Sequence, residues 1–160
     1  MKTLKAIIFI MVLSSTDLHA RMMIDENLVK SINQEMVEAI ENRDITVLKK
    51  YLFDKSIVYL NMSPDISEAK TKIGSADYLK MTEMSFDLLD DTDVQTEILS
   101  IDVNKEDNTA TIESMTTSST EMFGSKTEDK YLSKVEYGVI KGQVKILSID
   151  NSLVSSSIVN

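Results

Sequence analysis

The stretch that decides the fold runs from Glu26 to Phe53 and reads ENLVKSINQEMVEAIENRDITVLKKYLF. Leu28, Ile32, Met36, Val37 and Ile40 recur in it at three- and four-residue steps, which places them on one face of a helix over Glu26–Asn42. Asp25 is positioned as its N-cap. Asn42-Arg43-Asp44 breaks the pattern, Asp44 caps again, and Ile45, Leu48, Leu52 and Phe53 continue as a shorter second helix. The pair forms a helical hairpin.

Downstream, Ser56 to Met62 (SIVYLNM) is a strand that Ser63-Pro64-Asp65 terminates, since proline lacks an amide donor. A polar loop from Ile66 to Lys72 follows. Gly74-Ser75 then opens a third helix, with Ser75 as N-cap and Tyr78, Leu79, Met81, Phe86, Leu88 and Leu89 available for burial. The acidic run Asp87 to Asp93 reads as an exposed connection. Beyond it the pattern becomes β over Val94–Asn104, Thr109–Met122, Asp129–Ile140 and Gln143–Asn151, with Lys141-Gly142 as a tight hairpin. Helices first and an antiparallel meander afterwards predict one α+β domain over 21–160, its N-terminal helices packed on a curved antiparallel sheet.

This order of elements resembles the nuclear-transport-factor-two-like (SnoaL-like) cone-fold superfamily over most of residues 26–152. The resemblance is carried by Ala39-Ile40-Glu41-Asn42-Arg43-Asp44-Ile45 running into Leu48, Tyr51, Leu52, the aromatic–acid unit Phe53-Asp54 and Val58, and by Gly74-Ser75-Ala76 at the third helix. It implies a cone whose interior takes a ligand, and a sheet whose open face pairs in homodimers. Activity does not follow from it, because the superfamily holds isomerases, dehydratases, cyclases, binding modules and immunity proteins. Its steroid isomerases use a tyrosine on the first helix, an aspartate base on the first strand and a protonated acid on a late strand. Alignment on Asp44 and Asp54 puts Met36 at the tyrosine and Leu60 at the base, leaving Glu136 near the third position. An acid without its base transfers no proton.

Residues 1–20 have the layout of an export signal: Lys2 and Lys5, an apolar run from Ala6 to Leu13, a polar stretch, and Leu18-His19-Ala20. Eight strongly apolar residues are far fewer than the roughly 20 of a spanning helix, so no stable membrane span is expected. Removal of Lys2, Lys5 and Asp17 leaves 15 basic against 25 acidic side chains, a net charge of −10. Nucleic acid is not expected as a partner, since phosphate binding needs clustered Lys and Arg, whereas here the basic residues are outnumbered and scattered and only two, Arg21 and Arg43, are arginines.

The sole histidine, His19, leaves with the leader, and the chain has no Cys. Histidine-dependent dehydration, Ser-His hydrolysis and His/Cys metal sites go with them. The acidic run Asp87, Asp90, Asp91, Asp93 lacks the glycine and bidentate glutamate of a calcium loop. Neither a metal nor a cofactor is implied. Glu97, Asp102, Glu113 and Glu136 remain as strand carboxylates for a glycosidase-like pair, and strand parity decides whether they face a pocket or water. Flexible thioethers suit irregular apolar ligands or ordinary core filling. Met36, Met81 and Met84 near the expected cone mouth, with Met115 on a strand, carry that choice. Ser114–Thr120 (SMTTSST) fits a hydrated pocket, an open sheet face or a polar dimer interface, the open face being expected.

The reading that results is a periplasmic or secreted module without catalysis. It binds a small apolar or amphipathic molecule through Met36, Leu60, Met81 and Met115, with Glu136 as the fallback acid. The alternative is a protein-interaction or immunity-type domain, with a histidine-free isomerase or hydrolase behind it. N-terminal sequencing of exported material is expected to begin at or within a few residues of Arg21; a membrane-bound species retaining Met1 would overturn cleavage.

Overall fold

A computed structural model describes residues 22–63, 70–88, 91–122 and 124–159. The leader expected over 1–20, the Pro64-Asp65 stop and Leu89 lie outside the described residues. Helix α1 spans Glu26–Glu41, and the Asp25 carboxylate accepts the Leu28 amide at 2.8 Å as the N-cap. Arg43 takes a left-handed φ of 56°, which reverses the chain. Asp44 then accepts the Thr46 amide at 2.9 Å and starts α2, Ile45–Tyr51.

Leu52 and Phe53, expected in that helix, instead open strand β1, Leu52–Asn61. Leu52 is extended (φ −65°, ψ 130°) and aligned with Ile146 of the last strand. Tertiary ladder pairing overrides the helical spacing there. A four-residue strand β2, Thr71–Gly74, pairs antiparallel with β1 where a loop was expected, and α3 follows over Ser75–Leu88. The meander comprises β3 (Asp91–Asn104), β4 (Thr109–Met122), β5 (Ser125–Ile140) and β6 (Gln143–Val159). Only β4 has the ends expected for it. β5 and β6 run further because residues 126–130 are paired on both sides, with 117–121 of β4 and 155–159 of β6, and β3 because 91–93 pair with 119–121 of β4. Each such pairing adds ladder bonds that no single segment reveals.

The six strands lie in the order β2-β1-β6-β5-β4-β3. All neighbouring pairs are antiparallel except β1 with β6, which is parallel. The β5–β6 turn has Lys141 and Gly142 both at positive φ, 51° and 77°, as a two-residue hairpin loop requires. The helices cover one face of the sheet. Val29 and Ile32 of α1, Leu48 of α2, Val58, Ile112, Tyr137 and Ile146 are almost wholly buried there.

Of the α1 face expected in the core, Ile32 is buried, whereas Met36 and Ile40 are half-buried because they border a cavity. Val29 and Ala39 supply the rest of the buried stripe. The chain preceding α1 is fastened by Asn108, itself at a left-handed φ of 54°. Its carboxamide accepts the Ile24 amide and donates to the Met22 carbonyl, both at 2.8 Å. No helix among the described residues is long and apolar enough to cross a membrane.

Ile32→Asp is expected to abolish cooperative unfolding, because an unpaired carboxylate in this contact costs several kcal/mol. Leu48→Ala is expected to lower stability by about 2–5 kcal/mol in urea titration, the range for a truncated core leucine. An unchanged midpoint in either variant would show that the helical hairpin does not seat as described.

Candidate ligand cavity

Between α1, α3 and the concave face of the sheet lies a cavity of about 100 Å³. Helix α1 lines it with Asn33, Met36, Val37 and Ile40, and α3 with Tyr78. Strand parity determines the rest. Val94 and Thr96 of β3, Ser114 and Thr116 of β4, Ser133, Val135 and Tyr137 of β5, and Ile149 and Asn151 of β6 line it, while residues one step along point to the uncovered face. Register puts these pairs side by side: Thr96 opposite Thr116, Ser114 opposite Ser133, Thr116 opposite Tyr131.

The lining is apolar with uncharged polar groups set into it, and it includes no carboxylate, amine or imidazole. Thr96 and Thr116 share a hydroxyl–hydroxyl contact of 3.2 Å. Burial pushes the phenols of Tyr137 and Tyr78 upward, so both stay protonated across the physiological range. What the site offers is therefore hydrogen bonding and apolar contact, with no side chain that titrates near neutral pH.

A second cleft, of about 300 Å³, lies where α1 and α2 meet the β5–β6 turn, lined by Met22, Leu28, Ile32, Tyr51 and Val144. On its wall, Lys50 donates to Glu35 at 2.7 Å and sits 4.5 Å from the centre of the Tyr51 ring, while the Tyr51 hydroxyl donates to the same carboxylate. These hydrogen bonds hold the Glu35 carboxyl below its ordinary range.

Of the residues expected to meet a ligand, Met36 alone lines the cavity. Leu60 lies on the same face of the sheet, aligned with Asn151, but packs into the core beside the cavity. Met81 is 51% exposed on the outer side of α3, and Met84 is exposed likewise. Met115 stands between Ser114 and Thr116 and so faces the other way, aligned with Glu97 and Leu132. The expectation of an open face for Ser114–Thr120 is likewise split by parity: Ser114 is buried in the cavity wall and Thr116 lines it.

Glu136 is exposed between two cavity residues, Val135 and Tyr137, on the uncovered face, where its carboxylate accepts the Ser148 hydroxyl at 3.1 Å. Glu97 and Asp102 are exposed, and Glu113 is paired with Lys134 at 3.3 Å. The strand carboxylates lie outside the cavity. Asn33, Tyr78, Ser133, Tyr137 and Asn151 were not legible as site residues, because their facing follows from register and helix placement.

No protein-family model matches the chain, and no curated protein matches its sequence. Solved structures do match its shape. A conserved protein from Planctomyces limnophilus DSM 3776 aligns over 84% of this chain and 98% of its own at 14% identity, with a TM-score of 0.70. The hexachlorocyclohexane dehydrochlorinase LinA-type3 from Novosphingobium barchaimii LL02 aligns over 82% and 87% at 10% identity and a TM-score of 0.64. A nuclear-transport-factor-two-like protein of unknown function from Silicibacter pomeroyi DSS-3 aligns over 78% and 92% at 16% identity and a TM-score of 0.56. The chain has the nuclear-transport-factor-two-like cone fold, and at these identities the likeness speaks to fold alone.

Because the Glu35 carboxyl is depressed in the folded state, its contribution to stability is complete above the unfolded glutamate value of about 4.3 and is lost as pH falls through the lower folded value. The group is partly exposed, so the effect is small. Glu35→Gln is expected to make the acid-side fall of Tm shallower while leaving the slope above pH 6 unchanged; parallel profiles for the two proteins would contradict the network.

Proposed function

We propose that this protein is an exported module that binds a small apolar or amphipathic molecule in the cone cavity, without acid–base catalysis and without a cofactor. The observation that carries this reading is the lining: Met36, Val37, Ile40, Val135 and Ile149 around uncharged Asn, Ser, Thr and Tyr groups. Efficient proton transfer near neutral pH needs a base with a matched pKa at the reacting atom. Glu136, the fallback acid, sits on the opposite face of its strand. Structures of similar shape include a dehydrochlorinase and a protein of unknown function, so the reading rests on the lining and not on the likeness. Export to the periplasm or beyond rests on the layout of residues 1–20.

A protein-interaction role is the second reading, and the outer side of α3 favours it. Met81, Met84 and Leu88 are each more than half exposed at a spacing of three and four residues, which forms one apolar stripe. A homodimer across the uncovered face of the sheet belongs to the same class of reading.

Untargeted mass spectrometry of natively purified protein is expected to find a small molecule that is lost in Met36→Trp, a cavity-filling change, at unchanged circular dichroism. Met81→Glu together with Met84→Glu is expected to leave that molecule bound. Retention of the molecule by Met36→Trp would move the site elsewhere. Proton transfer on a ketosteroid is expected to be undetectable, and robust turnover unchanged by Glu136→Gln would overturn the non-catalytic reading.

A further inference from the structure

Strand β6 is paired on both sides only as far as Ser152. β1 ends its pairing at the Asn61–Ser152 alignment, whereas β5 accompanies β6 to Val159. From Leu153 to Val159 one edge of β6 therefore pairs with no described strand, and residues 154–159 are all exposed. Such an edge turns alternate backbone N–H and C=O groups outward and is a template for one more strand. The other outer edges of the sheet are guarded. β3 carries Asp91, Asp93, Glu97 and Asp102, its register shifts between Ile98 and Ser100, and its Val94 amide donates to the Glu41 carboxylate of α1 at 3.4 Å. β2 has four residues, Lys72 among them. Charge, irregularity and shortness are the usual devices against edge pairing. By contrast, Leu153–Val159 reads LVSSSIV, with no charge, proline or glycine. Its one irregularity is Val154, an extra residue between Leu153, aligned with Tyr131, and Ser155, aligned with Lys130; past it, 155–159 run in unbroken register with 126–130.

We propose that a second copy of this chain adds to that edge, the two β6 strands pairing antiparallel about a two-fold axis so that two sheets join into one. Neutrality selects this occupant. The chain has a net charge of −9, so two copies repel over most of their surfaces and meet at least cost along a segment without charge. Parity fits as well. Antiparallel partners in one sheet face the same side, so the axis passes through a residue. Centred on Ser157, it sets Ser155 of one copy opposite Val159 of the other, Ser156 opposite Ile158, and Ser157 opposite itself, with no like charges opposed. Seven residues make about 23 Å of ladder, a small contact that associates weakly and reversibly. The inference goes beyond the cavity reading and does not depend on it. It also differs from a dimer across the uncovered face, where Leu132 would be covered.

Sedimentation equilibrium of the purified protein is expected to show monomer and dimer exchanging over about 10–500 µM, with hydrogen exchange at alternate amides of residues 154–159 slowing as the dimer fills. Ser157→Lys, and separately Ser157→Glu, places like charges opposite each other across the axis and is expected to weaken dimerisation about tenfold at unchanged circular dichroism. Mixed in equal amounts, the two variants are expected to recover it as a heterodimer. Leu132→Glu, on the uncovered face, is expected to leave it unchanged. A dimer lost in Leu132→Glu and kept in Ser157→Lys would place the contact on the uncovered face and overturn the edge pairing. Failure of the mixed variants to associate would overturn the register about Ser157. A monomer at every concentration would overturn the second copy as occupant and leave the cavity reading standing.

Discussion

The parallel pairing of β1 with β6 is the contact on which the rest of the structure depends. β1 begins at the residue after α2 and runs beside the last strand, Leu52 aligned with Ile146 and Val58 with Ile149. This ties the first third of the chain to its end, so α1 and α2 must lie across the concave face. The join is irregular, since the register shifts between Leu52 and Ile57. Ser56, 2% exposed, manages that irregularity: its hydroxyl accepts the Phe53 amide at 3.0 Å and donates to the Ile146 carbonyl. Backbone groups that a plain ladder would pair are satisfied by one side chain instead.

With the helices held there, the cavity follows from incomplete filling. Val29, Ile32 and Leu48 seal the interior near the start of α1 and α2, while Met36 and Ile40, one and two turns further along α1, meet the sheet less closely. The space left is small, and the groups around it are neutral. The fold here is shared with enzymes, yet what a cone does depends on which side chains alternate inward, and that is a matter of parity on β4 and β5.

The uncovered face shows the complementary outcome. Its Glu97, Glu113, Lys134 and Glu136 are charged and mostly exposed; Glu113 of β4 pairs with Lys134 of β5, and Lys70, just before β2, pairs with Asp150 of β6. Such pairs contribute little to stability at this exposure.

Local chemistry settled much of this protein before any tertiary contact. The period of Leu28, Ile32 and Met36, the Asp25 and Asp44 caps and the Lys141-Gly142 turn lie within a few residues of the structures they make, so helices, breaks and hairpin were legible in the sequence, as was the order of elements that marks a cone. The exclusion of thiol chemistry was legible too, since the chain has no Cys and an absent residue type has no position to mistake. Strand pairing joins distant segments and sets parity, and it alone decided that Leu52 leaves its helix, that β6 extends to Val159, and that Met115 and Glu136 face outward while Ser114 and Tyr137 face the cavity. A one-residue step along a strand reverses a side chain's facing at no cost in local propensity, so the identity of the site was written only in the register.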